Sequence, residues 1–209
     1  MHILVVGASG RVGKELVSNL LHEGHQVTGT TRQKEHLFKN PNYRQIELNL
    51  KAQQKDIEIS IPKETEAIYF VSGSRGKDIL QVDLHGAVKT MIAAEKLNIK
   101  RYIMLSALHS LEPEKWTSIV DYFTGKYFAD LWLINQTNLD YTIVQPGSLT
   151  ETPGTGKIDV TNLDRQGDIA IKDVATALKE VLTQKNTYKK MIPMLSGSTS
   201  ITEVIANYK

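Results

Sequence analysis

The sequence predicts an α/β protein on a doubly wound, mainly parallel sheet: a single domain with a small C-terminal rim on the substrate side. Three observations predict it. Short β-branched runs alternate with stretches of helical period along most of the chain. The first run, residues 3–6 (Ile-Leu-Val-Val), is apolar at every position, as a strand buried on both faces must be. A glycine-rich heptapeptide then joins it directly to an amphipathic helix.

The elements follow in order. Val12, Leu16 and Leu20, flanked by Val17 and Leu21, recur at helical spacing, and Gly24 stands where a helix C-cap belongs. Residues 25–30 read as a second strand and 44–48 as a third, while 51–61 carry mixed signals and receive no element. A strand over 67–71 runs into the loop 72–76. Residues 80–97 keep one helical period through Val82, Ala87, Met91 and Ala94. A strand over 101–105, a helix over 119–135 and a strand over 141–144 come next. Gln145-Pro146-Gly147 is expected to break regular structure, and Pro153-Gly154-Thr155-Gly156 to prolong the loop. A helix over 171–182 and a strand over 191–195 complete the pattern.

Composition sets limits. The 209 residues, 41% hydrophobic and 23% charged, suffice for one well-buried domain. A net charge of +2, with no run of like charges, provides no field for nucleic acid. The absence of cysteine excludes disulfides, thiolate metal sites and a cysteine nucleophile. The six histidines show no ligand spacing, so no metal is expected. No stretch approaches the roughly 18 apolar residues of a membrane span, and the first apolar run lacks the basic start of a signal peptide. A cytoplasmic protein with no membrane partner is the expectation.

The heptapeptide is Gly7-Ala8-Ser9-Gly10-Arg11-Val12-Gly13. Gly7 permits the tight turn, Gly10 lets the backbone approach a pyrophosphate, and Gly13 allows close helix–strand packing. The helix start then directs free N–H groups and partial positive charge at the phosphates. NAD-binding folds place an acid about 20 residues further on, to hold the ribose 2′-hydroxyl. Here Thr30-Thr31-Arg32 stands there, with no acid before Glu35. Arg32 suits a 2′-phosphate, and Arg11 and Lys34 add positive charge, so NADP(H) is expected over NAD(H).

A second constellation lies further along. Tyr122 and Lys126 are four residues apart on one helix face, and Ser106 closes the strand over 101–105 at the sheet's C-terminal edge. There a lysine ammonium can bring a phenol into service as proton donor while a serine hydroxyl holds a carbonyl oxygen. His109, just beyond Ser106, is either a substrate contact or solvated loop. Of Trp116, Phe123, Phe128 and Trp132, most are expected in the core, with one or two left for a substrate pocket or a homodimer face. The loop 148–164, with 197–199, would form a mobile rim that orders the substrate.

The chain resembles the atypical short-chain dehydrogenase/reductases, compact NAD(P)-binding Rossmann proteins of the NmrA-like and biliverdin/flavin-reductase-like subgroup. Residues 7–13, 82–87, 100–106, 122–126, 141–147, 171–175 and 196–197 carry the resemblance. It covers nearly the whole length, so residues 1–209 are expected to form one NAD(P)-binding domain. It implies catalytic roles for Ser106, Tyr122 and Lys126. It implies cofactor contacts from Gly7, Ser9, Gly10, Arg11, Val12, Gly13 and Arg32. Further contacts would come from Val71, Ser72, Gly73, Ser106, Lys126, Pro146 and Gly147. Three departures stand out: Asn49 where relatives often have an acid, Gln145 where many have arginine, and a Ser106 to Tyr122 interval a little longer than is usual in the superfamily. The implied activity is NADP-dependent hydride transfer to a small carbonyl, quinone or flavin-like acceptor. The alternative is a non-catalytic NADP(H)-binding redox sensor of NmrA-like type. A nucleotide-sugar epimerase would need a larger C-terminal lobe.

Overall fold

Each central strand divides its side chains between two apolar layers. In β1 (His2–Val6), Ile3 and Val5 enter one core while Leu4 and Val6 enter the other. This period-2 division requires cover on both faces. The computed structural model, which describes residues 1–164 and 167–209, supplies that cover with helices. The chain runs through α1 (Arg11–His22), β2 (Gln26–Thr30), β3 (Tyr43–Ile46), α2 (Gln54–Ser60) and β4 (Ala67–Phe70). A π-helical segment, Ile79–Leu84, leads into α3 (His85–Lys96), followed by β5 (Arg101–Leu105), α4 (Val120–Gln136) and β6 (Asp140–Pro146). Then come β7 (Ser148–Thr150), β8 (Lys157–Asp159), β9 (Asp168–Ala170), α5 (Ile171–Glu180), β10 (Lys190–Ser196), β11 (Thr199–Ser200) and α6 (Ile201–Ala206).

The main sheet has the order β11-β8-β10-β6-β5-β4-β1-β2-β3 among the described residues. From β3 to β10 every pairing is parallel; β8 pairs antiparallel with β10 and β11. β7 and β9 form a small parallel pair of their own. Leu16 and Leu20 of α1, Val174 and Leu178 of α5, and Ile205 of α6 fill one core. Ile57 of α2, Met91 of α3, and Ala129 and Leu133 of α4 fill the other. The architecture is the doubly wound Rossmann type.

Local chemistry explains the boundaries. α1 ends where Gly24, at φ +78°, takes the left-handed conformation and its N–H donates to Leu21 O at 3.0 Å. The expected helix over 80–97 is instead a π-helical turn followed by an α-helix. Gly125 of α4 admits Ile79 so closely that a Cβ there would lie 2.5 Å from Ile79 Cγ2. β6 does not break at Gln145 but continues through Pro146. β5 has ended by then, so the missing proline N–H faces no ladder partner, and Pro146 O accepts the Leu108 N–H at 2.8 Å. α2 occupies the stretch left unassigned, and β7, β8, β9, β11 and α6 are short elements in regions expected to be loop or left without assignment.

The aromatic expectation needs correcting: none of Trp116, Phe123, Phe128 and Trp132 is buried. The inward face of α4 carries Gly125, Lys126, Ala129, Asp130 and Leu133, so Phe123, Phe128 and Trp132 fall elsewhere on the helix, while Trp116 lies in the loop before it. No described helix is long and apolar enough to cross a membrane.

One buried cation ties sheet to helix. Arg101 opens β5 and donates to Leu182 O at 2.9 Å, Val181 O at 2.5 Å and Asp140 O at 2.6 Å, with its guanidinium 4.4 Å from the centre of the Tyr188 ring. It thereby satisfies carbonyls at the end of α5, where a cation is electrostatically favoured. Burial pulls its pKa down to about 10, so it remains charged at neutral pH. Arg101→Met leaves those carbonyls without partners and is expected to lower stability by about 3 kcal/mol. An unchanged midpoint in urea unfolding would contradict this role.

Candidate functional site

The strand order reverses its direction of growth between β1 and β4, so the loops leaving these strands part and open a cleft. The glycine loop forms one wall. Gly7 sits at φ +97°, and a Cβ on it would lie 2.7 Å from the Ser72 backbone. A Cβ on Gly13 would lie 2.2 Å from Gly7 O, so only glycine lets α1 approach the end of β1 this closely. Gly10 N donates to Gly7 O at 3.0 Å and closes the turn. Thr30, at the end of β2, holds the loop from behind: its Oγ1 accepts the Gly7 N–H at 3.1 Å and its carbonyl the Ala8 N–H at 3.2 Å.

A cavity of about 1120 Å³ occupies the cleft, a little above the usual range for small-molecule sites. Gly10, Arg11 and Val12 line it on the loop side, and Val71, Ser72 and Gly73 at the end of β4. Ser106, Tyr122, Lys126, Pro146 and Gly147 line its other half. Gly7, Ser9 and Gly13 lie outside the lining, with Gly7 and Gly13 shaping the turn behind it. Arg32 is also outside it, exposed two residues beyond β2, with no ion pair among the described residues. The bare glycine turn, the helix start beside it and the cleft between β1 and β4 fit a dinucleotide pyrophosphate.

Tyr122 and Lys126 share the inner side of α4. Lys126 is buried, donates to Leu105 O at 2.8 Å, and places its ammonium 5.8 Å from the centre of the Tyr122 ring. One turn further along stands Asp130, fully buried. Its Oδ2 accepts hydroxyl hydrogens from Ser106 and Ser110, each at 2.6 Å, and Gln145 donates to Ser110 Oγ at 2.8 Å. Asp130 Oδ1 has no partner among the described residues. Burial pushes this carboxyl up to about 6, against the opposing pull of the two hydroxyls and the nearby Lys126 charge. Sequence reasoning missed Asp130, though its i+4 spacing from Lys126 and i+8 from Tyr122 was readable.

Asp83, in the π-helical segment, was missed as well. It is buried and lines the cavity; Oδ2 accepts the Ser74 N–H at 2.9 Å, and Oδ1 has no partner among the described residues. The segment between Ser106 and α4 folds as a compact loop with a 3₁₀ turn at Pro113–Lys115. Trp116 stacks on Phe123 at 5.7 Å, and His109 reaches the cavity.

Residues 7–185 match the family model described as NAD(P)H-binding. The chain belongs to the NAD(P)H-binding family. It is 32% identical over 213 residues to the Bacillus subtilis protein named uncharacterized sugar epimerase YhfK, covering 98% of this chain and 99% of that protein. The crystal structure of the oxidoreductase ylbE from Lactococcus lactis superposes with a TM-score of 0.93 at 40% identity, over 100% of this chain and 96% of the other. A Veillonella parvula short-chain dehydrogenase/reductase in complex with NADP shares the fold, with a TM-score of 0.75 at 19% identity over 95% and 96% of the two chains. In this NAD(P)H-binding protein Gly10, Arg11 and Val12 of the glycine loop and the Tyr122–Lys126 pair line a single cavity.

Asp130 gives this NAD(P)H-binding protein a pH signature. A carboxyl whose native value exceeds its unfolded one binds its proton more tightly when folded. The native state therefore loses stability as pH rises from the ordinary carboxylate range, about 4, towards about 6, and the loss persists above. Asp130→Asn is expected to flatten the profile over that window and to be more stable at neutral pH by on the order of 2 kcal/mol. Urea unfolding between these pH values measures it; parallel profiles for the two proteins would refute the assignment.

Proposed function

We propose that this protein is an NADP-dependent oxidoreductase that passes hydride to a small carbonyl, quinone or flavin-like acceptor, one domain serving cofactor and acceptor alike. The observation that carries the reading is the presence of Tyr122 and Lys126 on the cavity that the glycine loop opens. When bound, the nicotinamide supplies the hydride. As hydride reaches a carbonyl carbon, the π pair moves onto oxygen, and the Tyr122 phenol gives that oxygen its proton. The Lys126 ammonium stabilises the phenolate left behind, and solvent returns the proton. Leu105 O occupies one of the three Lys126 donors, leaving others for the phenol and a ribose hydroxyl. Ser106 acts towards the cavity as an acceptor, because its hydrogen is given to Asp130.

Arg32 supports NADP over NAD. It stands two residues after Thr30, whose side chain and carbonyl hold the glycine loop, and it forms no ion pair among the described residues, which leaves its charge for a 2′-phosphate. Arg32→Glu is expected to weaken NADPH binding at least about 10-fold while leaving NADH within a few-fold. Fluorescence titration of the two cofactors reads this directly, and an equal loss for both would exclude a 2′-phosphate contact.

The central experiment is NADPH oxidation against aldehydes, ketones, quinones and free flavins. Tyr122→Phe is expected to slow carbonyl reduction about 100-fold with NADPH affinity unchanged. Tight binding with no turnover on any acceptor would favour a redox sensor. Interconversion of a sugar with no net cofactor oxidation would favour the epimerase chemistry for which the Bacillus relative is named.

A further inference from the structure

Reducing a carbonyl requires hydrogen-bond donors aimed at the oxygen that becomes negative. In this cavity Ser106 does not supply one. Its hydroxyl is 2.6 Å from Asp130 Oδ2, and a carboxylate oxygen can only accept, so the serine hydrogen is committed. Releasing it would strip a buried carboxylate that already has one unpartnered oxygen. Beside Tyr122 there is a vacancy for a second donor.

The loop after Ser106 presents a candidate. His109 lines the cavity together with Ser106 and Tyr122. Its Nδ1 lies 2.8 Å from Glu112 Oε1. Lys115 holds the other Glu112 oxygen at 2.7 Å and is itself held by Asp164 at 2.7 Å. These contacts keep the Glu112 carboxyl below the usual carboxylate range, so it is an acceptor and Nδ1 carries the hydrogen. That fixes the ring and leaves Nε2, with no hydrogen-bond partner among the described residues, as the nitrogen available to a ligand, an acceptor in the neutral ring and a donor in the imidazolium.

The backbone points the same way. His109 adopts φ +62°, a left-handed conformation that costs a side chain energy and that glycine would hold freely. The position is nonetheless braced: the Trp116 indole donates to His109 O at 2.9 Å, Glu112 N donates to the same oxygen at 3.0 Å, and Leu108 N is bonded to Pro146 O at 2.8 Å. An imidazole is thus held by a carboxylate–lysine–carboxylate chain on a strained residue, in the wall of the proposed active site.

We propose that His109 is a catalytic residue that works as an imidazolium: its Nδ1–H is held by the Glu112 carboxylate, and its Nε2–H donates to the acceptor's carbonyl or quinone oxygen, the position that Ser106 cannot fill. The inference rests on the oxidoreductase reading and narrows its substrate class to acceptors reduced at an exposed C=O. Hydride adds to the carbonyl carbon, the π pair moves to oxygen, and Tyr122 transfers its proton there. The His109 imidazolium, stabilised by Glu112, keeps its proton and only hydrogen-bonds the developing charge. Hydride transfer to a flavin nitrogen needs no such donor.

His109→Gly removes the imidazole and relieves the backbone, so the fold should survive. Expected is about a 100-fold slower reduction of a naphthoquinone or an aldehyde, with NADPH affinity unchanged. Added imidazole should restore part of that loss. Independently of turnover, the ring nitrogen resonances of His109 in NADP⁺-saturated wild-type protein should shift when the quinone is added. A His109→Gly protein that reduces quinone and aldehyde at the wild-type rate overturns the inference, as do ring signals unmoved by the quinone. Wild-type protein inert towards every acceptor overturns the oxidoreductase reading instead. In that case a quinone-dependent ring shift still places His109 in the ligand site, and its absence removes both.

Discussion

Gly13 and the Gly7 carbonyl approach each other so closely that no side chain fits between them, and the glycine-loop half of the cavity follows from that contact. A helix that starts this near the end of β1 brings its free N–H groups to the mouth of the cleft. Had α1 stood even one methyl group further out, the turn at Gly10 would open and the lining at Arg11 and Val12 would withdraw. Thr30 completes the constraint from the neighbouring strand. Through its hydroxyl and carbonyl it ties the glycine loop to β2, and so to the segment that carries Arg32.

The other half of the cavity depends on α4, and its design is less comfortable. The inward face of this helix carries Lys126 and Asp130 where a packing helix would carry leucine. Burying either charge costs free energy that Leu105 O, Ser106, Ser110 and Gln145 only partly offset, as the unpartnered Asp130 oxygen shows. Such a network restricts geometry more than it stabilises. It fixes the rotamer of Lys126 and the direction of the Ser106 hydrogen, and through them what the cavity can donate and accept.

Most of the fold was legible because period and punctuation agree. The buried run at β1, the stripe on α1 and the left-handed Gly24 each state one local preference that the tertiary structure does not overrule. The misses have physical causes. α2 is a short helix with Ile57 as its one buried residue, too little for a periodic signal. The π-helical turn exists because Gly125, forty-odd residues away, makes room for Ile79. Pro146 continues β6 because a neighbouring strand has ended, which no local rule reports. In the site, the glycine loop and the Tyr–Lys spacing were readable as motifs. Asp83 and Asp130 look like ordinary acids in sequence, and only burial distinguishes them.

The two halves also differ in what holds them. Gly10–Val12 are anchored through the tight glycine turn that leaves β1, and Val71–Gly73 follow β4, two paired central strands whose shift would break ladder hydrogen bonds on both sides. His109, Tyr122 and Phe123 hang on the loop 107–118 and the first turn of α4, braced by side chains such as Trp116, Glu112 and Lys115. Substitutions in that loop can reshape its side of the cavity without disturbing the sheet or the glycine turn. The residues that assign a reaction to this chain are therefore to be sought between Ser106 and Lys126 rather than in the glycine loop.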